Sequence, residues 1–80
     1  MPEDEADQAM RRAFGVWVRE LRHRRGLTQA TVAQQAAISV TYLSEMESGR
    51  HNPTLAVVLR LARALDVKPS QLVSRLDTLD

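Results

Sequence analysis

Arginine is concentrated in the middle of this 80-residue chain, which makes that segment a candidate surface for a polyanion. Nine arginines lie between residues 10 and 65, where the acidic side chains are Glu20, Glu45 and Glu47, so the segment carries a charge of +6. The forked guanidinium group suits phosphate and carboxylate. The charge by itself also fits a solvated arginine-rich face.

The formal net charge of +1 conceals this sorting because acidic residues lie at both ends of the chain. Residues 1–9 carry four acidic side chains and no basic one, and residues 66–80 sum to −1. We expect residues 1–9 to form an acidic N-terminal segment that is mobile or caps a helix. Residues 10–80 are long enough for one domain, which we expect them to form.

No pattern in the sequence predicts catalysis, a metal site or a membrane segment. His23 and His51 have no cysteine or acidic cluster at ligand spacing, so we expect no metal. The serines lack histidine and acid partners and there is no glycine-rich phosphate loop, so we expect neither enzyme activity nor a cofactor. The longest apolar run, Leu55–Leu59, has five residues, whereas a membrane span needs about 20. With its acidic start, the chain is expected to be cytoplasmic.

Glycines, prolines and capping residues divide the chain into five predicted helices, and no strand pattern is present. Thr28, Ser39 and Thr54 are predicted N-caps, Gly26 is predicted to end the first helix, and Pro69 fits the first turn of the last. The predicted helical ranges are about 6–25, 28–36, 39–47, 54–65 and 69–79. The sequence therefore predicts an all-α fold with short connections.

Apolar spacing predicts which side of each helix is buried. The predicted core residues are Met10, Phe14, Val18 and Leu21, then Val32, Ala33 and Ala36, then Leu43 and Met46, and finally Leu55, Val58, Leu59, Ala62 and Leu65. Val16 and Trp17 lie off the stripe of the first helix. Trp17 is covered either by the last helix or by the N-terminal segment, or else it belongs to an exposed patch for a partner.

The second and third predicted helices are joined across Ala37-Ile38, a link too short for antiparallel packing. They must cross steeply, which is the geometry of a helix-turn-helix. The exposed side of the third helix is then short-chained and polar, and such a helix fits the DNA major groove. The N-terminal amides of both helices favour phosphate oxygens. The candidate phosphate contacts at these positions are Thr28, Gln29, Ser39 and Arg50.

Three motifs carry a resemblance to a known family. They are Leu21-Arg22-x-x-Arg25-Gly26-Leu27-Thr28-Gln29-x-x-Val32-Ala33, Ile38-Ser39-x-x-Tyr42-Leu43-Ser44-x-Met46-Glu47-x-Gly49-x-x-Asn52-Pro53-Thr54-Leu55, and Leu61-Ala62-x-Ala64-Leu65. In this order and spacing they resemble the phage repressor/Cro type of helix-turn-helix, often called the xenobiotic-response-element family. The resemblance implies a five-helix, lambda-repressor-like domain in a bacterial or phage transcriptional regulator that binds an operator as a homodimer.

The resemblance also implies roles for single residues. Base reading falls on Val40, Thr41, Ser44 and Glu45, and phosphate contacts fall on Gln29, Tyr42, Arg50 and Asn52. A structural ion pair between Arg22 and Glu47 would hold the third helix against the first.

Three positions leave alternatives open. Ala37 stands where the family has glycine, so a left-handed backbone there costs about 1 kcal/mol, or the turn takes another shape. Glu45 can accept a hydrogen bond from a cytosine amino group, or bond to Arg50 and read nothing. Tyr42 either contacts DNA or covers the edge of the core.

The last helix is the predicted place of dimerisation. We expect Leu72, Leu76 and Leu79 to form the interface, although Leu72 can also complete the core. Two other functions stay open. The chain is alternatively an antitoxin or adaptor whose main partner is a protein such as a toxin, which Val16, Trp17 and the acidic start would serve. It is alternatively the controller protein of a restriction-modification system.

Overall fold

The computed structural model describes residues 5–78 as helices joined by short turns. The elements are α1 (Glu5–Arg24), α2 (Gln29–Ala36), α3 (Val40–Glu47), α4 (Leu55–Leu65), α5 (Pro69–Leu72) and a 3₁₀ helix at Ser74–Thr78. The predicted all-α, five-helix fold is confirmed, and residues 5–78 contain no strand. The described part of the acidic segment, residues 5–9, is helical and continuous with α1. No helix within residues 5–78 is long and apolar enough to cross a membrane.

Local capping bonds set the starts of the three central helices. The side-chain oxygens of Thr28, Ser39 and Thr54 each accept a hydrogen bond from the backbone N–H three residues on, at 3.1, 2.9 and 3.2 Å. These bonds satisfy donors that lack a partner within the helix. The predicted N-caps are therefore confirmed. Ala37 has a φ of 57°, so the left-handed turn is the alternative that the chain adopts.

The last predicted helix is shorter than expected because its serine and threonine side chains bond to nearby backbone. The Ser74 hydroxyl donates to the Gln71 carbonyl at 2.7 Å, and the Thr78 hydroxyl donates to the Arg75 carbonyl at 3.2 Å. Bonds of this kind compete with the α-helical pattern. The chain accordingly changes from α5 to the 3₁₀ helix after Leu72.

Helix α4 buries only part of the predicted side: Ala62 and Leu65 are buried as predicted, and Val58 packs against the core. Leu55 is 83% exposed and Leu59 is 48% exposed, whereas Val57 and Leu61 are buried. The prediction was wrong for Leu55 and Leu59 because an unbroken apolar run presents two overlapping faces, and periodicity alone does not choose between them. Arg60 Nε donates a hydrogen bond to the Ala36 carbonyl at 2.8 Å, which joins α4 to the end of α2.

The C-terminal segment covers Trp17 within the same chain. The Trp17 indole N–H donates to the Gln71 carbonyl at 2.8 Å, and the Arg75 guanidinium lies 4.1 Å from the ring centroid. Cover by the last helix is therefore the correct alternative. Leu72 is fully buried, so the prediction that it faces a second copy is wrong. Leu76 is half-buried, and Leu79 lies outside the described residues.

Candidate nucleic-acid interface

Helix α3 is anchored by one side and exposed on the other. Leu43 and Met46 are fully buried, which fixes the rotation of the helix. Val40, Thr41 and Ser44 are exposed and Glu45 is half-exposed, so all four predicted base-reading residues lie on the outward side. The short side chains of Val40, Thr41 and Ser44 permit a close approach to base edges in a groove.

A buried ion pair holds the end of α3 against α1. Arg22 Nε lies 2.8 Å from Glu47 Oε2, and Arg22 Nη2 lies 3.0 Å from Glu47 Oε1. The predicted ion pair is therefore present, with bidentate geometry. Both residues are only 8% exposed. The hydrogen bond to Glu47 raises the pKa of Arg22, which keeps the guanidinium charged. Arg22 Nη1 also donates to the Leu27 carbonyl at 3.1 Å, which ties the α1–α2 turn to the same pair.

Gln29 joins this ion pair, which sequence reasoning did not predict. Its side-chain Nε2 donates to Glu47 Oε1 at 3.1 Å. An amide nitrogen carries two N–H groups, and this bond uses one of them. This bond holds Gln29, the first residue of α2, at a defined position relative to α3. Thr28, a candidate phosphate contact, immediately precedes it.

A polar groove about 410 Å³ in volume lies beside the exposed side of α3. Residues of α1, α2, α3 and the loop after α3 form its walls. They include Arg19, Gln29, Ser44, Ser48 and Arg50. Arg19 and Arg50 are exposed, so the groove is lined by two solvent-accessible cations. We had not assigned Arg19 a role. Its position three residues before Arg22, on the same side of α1, was the signal that could have found it.

The Glu45 carboxylate faces a partner other than the one considered. Its Oε1 lies 3.6 Å from His51 Nε2, whereas Arg50 meets Glu45 through the backbone, its N–H donating to the Glu45 carbonyl at 2.9 Å. The alternative in which the Glu45 side chain bonds to the Arg50 side chain is therefore wrong. Tyr42 is half-buried and its ring lies edge-on to His51, with centroids 4.9 Å apart. Asn52 is exposed in the same loop.

Gly15 lets α1 and the end of α3 come into backbone contact. A Cβ atom at Gly15 would lie 2.7 Å from the Glu47 carbonyl oxygen and closer still to that of Met46. Real Cβ atoms do not approach backbone oxygens so closely, so the site admits glycine alone without a shift of α3. A glycine inside a predicted helix is the sequence signal of such an approach, and sequence reasoning had not used it.

Comparison with known proteins matches residues 13–76 of the chain to a family described as the helix-turn-helix domain. The chain belongs to this helix-turn-helix family, whose named relatives are transcriptional regulators. This regulator is 41% identical over 68 residues to an uncharacterized HTH-type transcriptional regulator, y4dJ, of Sinorhizobium fredii, covering 85% of this chain and 88% of that one. It is 36% identical over 59 residues to the immunity repressor protein of Bacillus phage phi105, covering 74% and 41%.

Solved structures show the same fold. The regulator superposes on the restriction-modification controller protein C.AhdI from Aeromonas hydrophila with a TM-score of 0.78 and 39% identity, covering 80% of this chain and 97% of that one. It superposes on the clp gene regulator ClgR from Corynebacterium glutamicum with a TM-score of 0.79 and 26% identity, covering 85% and 88%. The predicted resemblance to the repressor/Cro type of regulator is thus confirmed. The matched range contains α2, α3 and every residue assigned here to the interface.

Proposed function

We propose that this regulator binds operator DNA in a sequence-specific manner, as a homodimer, with α3 in the major groove. The observation that carries the proposal is the outward face of α3, whose exposed side chains stand opposite two fully buried anchors. In this account Val40, Thr41, Ser44 and Glu45 face bases. The protein acts on DNA in the cytoplasm, performs no catalysis and needs no cofactor.

Phosphate contacts would surround α3 in this arrangement. The capped starts of α2 and α3, at Thr28 and Ser39, direct backbone N–H groups outward, and such groups favour phosphate oxygens. Gln29, Arg50 and Arg19 line the groove beside them. Tyr42 and Asn52 complete the proposed set. Phosphate neutralisation should then supply most of the affinity, so binding should weaken steeply with salt.

Substitutions should separate phosphate contacts from base contacts. Arg50→Ala is expected to weaken binding to all DNA sequences alike and to lower the slope of log affinity against log salt by about 1. Thr41→Val keeps the side-chain shape but removes the hydroxyl, so it should change sequence preference with little effect on the salt slope. Selection of sites from random DNA, followed by titration of the selected site at several salt concentrations, measures both quantities.

Arg75→Gln is the matched control for Arg50→Ala. Arg75 packs on Trp17. Gly15 faces the end of α3, and Trp17 lies two residues further along α1, so Trp17 and Arg75 are on the opposite side of α1 from α3. Removing its charge should leave the salt slope nearly unchanged. Equal losses in both variants, or selection that enriches no sequence, would contradict the proposal.

The proposed dimer interface is an apolar groove between α1, α4 and the C-terminal segment. Met10, Phe14, Leu55, Val58 and Leu76 line it. Leu55 is largely exposed at its edge and Leu76 is half-buried within it, so a second copy would cover both. This groove takes the place of Leu72 in the predicted interface. Leu79 keeps its proposed role in dimerisation, and it lies outside the described residues.

Leu55→Lys is expected to convert a dimer into a monomer, because pairing would bury an unpartnered charge. Sedimentation over a range of protein concentrations measures the association. Val16→Lys is the control, because Val16 is also largely exposed but lies outside this groove. A wild-type protein that stays monomeric at tens of micromolar, or equal effects of both substitutions, would refute the interface.

A second candidate function is control of a restriction-modification system. It is supported by the similarity to C.AhdI, of which this chain covers 97%. A neighbouring nuclease gene whose promoter the protein binds would favour it. The antitoxin or adaptor alternative is less well supported, because Trp17 is buried against the C-terminal segment of the same chain and does not form an exposed patch for a partner.

A further inference from the structure

His51 lies where the loop after α3 folds back on the exposed side of that helix. Its Nε2 is 3.6 Å from Glu45 Oε1, and its ring meets the Tyr42 ring at an angle of 68°. The Glu45 and His51 side chains are 38% and 42% exposed. The Arg50 N–H donates to the Glu45 carbonyl at 2.9 Å, so the loop backbone itself holds His51 near Glu45. The buried anchors of α3, Leu43 and Met46, are not part of this contact.

The contact depends on the charge of the imidazole. At 3.6 Å a neutral imidazole makes no effective hydrogen bond, whereas a protonated one forms an ion pair with a carboxylate. Histidine is the side chain whose charge ordinarily changes between about pH 5 and 8. Glu45 and Tyr42 are the titratable groups that α3 presents to His51, and Arg50 is the charged neighbour in the loop.

We propose that His51 sets how strongly Glu45 discriminates between bases. This inference rests on the proposed function, in which Glu45 faces the major groove. When His51 is protonated, it engages the carboxylate and draws it toward the loop. When His51 is neutral, the carboxylate is released and can accept a hydrogen bond from a cytosine amino group. His51 is therefore a positioning residue that acts on sequence choice through Glu45.

Two effects of protonation should be separable. Protonated His51 adds a positive charge to the DNA-facing surface, so affinity for all DNA should rise as the pH falls. Competition for Glu45 should at the same time reduce the preference for one particular base pair. Because the first effect applies to every sequence, the ratio of two dissociation constants reports the second effect alone.

The test compares two operators that differ at the base pair whose preference is lost in Glu45→Gln. For the wild-type protein, the ratio of their dissociation constants should be about two- to five-fold smaller at pH 6 than at pH 8, the range that an exposed ion pair supplies. His51→Gln should keep the high-pH ratio at both pH values, and His51→Ala provides a second variant. His23→Gln is the control and should behave as wild type, because His23 lies on α1.

Four outcomes would count against these assignments, and they are distinguishable. A wild-type ratio that does not change with pH, or a change that persists in both His51 variants, overturns the role of His51. A Glu45→Gln variant with unaltered base preference at every position overturns it as well. Failure to distinguish any operator from random DNA at either pH overturns the proposed function itself.

Discussion

Replacement of Glu47 by alanine is expected to lower the free energy of unfolding by about 3–5 kcal/mol. The substitution leaves the Arg22 guanidinium buried without its carboxylate partner, and both residues are 8% exposed in the native protein. It also removes the acceptor of the Gln29 side chain. Small domains have total stabilities of about 5–15 kcal/mol, so the loss is a large fraction of the whole. Urea denaturation followed by circular dichroism measures it.

Glu20→Ala is the matched control for this prediction. Glu20 pairs with Arg24 at 3.7 Å and with Arg75 at 3.5 Å, but its side chain is 45% exposed. Exposed pairs contribute about 0–1 kcal/mol because water solvates the separated charges well. The double variant Arg22→Met with Glu47→Leu should recover much of the stability, since no buried charge is left unpaired. A Glu47→Ala loss no larger than that of Glu20→Ala would show that the pair does not hold α3.

Gly15→Ala is expected to destabilise the protein by about 2 kcal/mol or more, although alanine is the better helix former. Alanine in place of glycine inside a helix ordinarily gains about 0.5–1 kcal/mol. Here the added methyl group would meet the carbonyl oxygens of Met46 and Glu47, which are backbone atoms and cannot rotate away. The end of α3 must therefore move. Thermal unfolding and operator titration of the same variant report the two consequences.

Gly26→Ala separates this steric effect from the conformational cost of replacing a glycine. Gly26 has a φ of 66° and open space around the position of a Cβ atom, so alanine there costs only the left-handed conformation, about 1 kcal/mol. Its operator affinity should stay close to wild type. A Gly15→Ala protein that is more stable than wild type would mean that α1 and α3 are not in backbone contact.

Much of the fold was predictable because its determinants are local. Thr28, Ser39 and Thr54 cap helices through bonds to residues three positions away, and Gly26 ends α1 with a positive φ. The same local periodicity placed Leu43 and Met46 in the core and the candidate base-reading residues on the opposite side of α3. The Arg22–Glu47 pair came from the family resemblance rather than from spacing.

The sequence by itself determined the starts of the helices and the outward side of α3, because caps and periodicity depend on neighbours within one helical turn. Only the tertiary structure decided the rotation of α4, the burial of Leu72, the bond from Gln29 to Glu47 and the approach of His51 to Glu45. The rotation, the burial and the Gln29 bond depend on how separate helices pack, and the His51 approach depends on how a loop returns over its own helix. The periodicity of one helix carries no information about how helices pack or about the path of a loop. The place of Gly15 against α3 belongs to the same class, because a missing side chain becomes informative only when another backbone lies beside it.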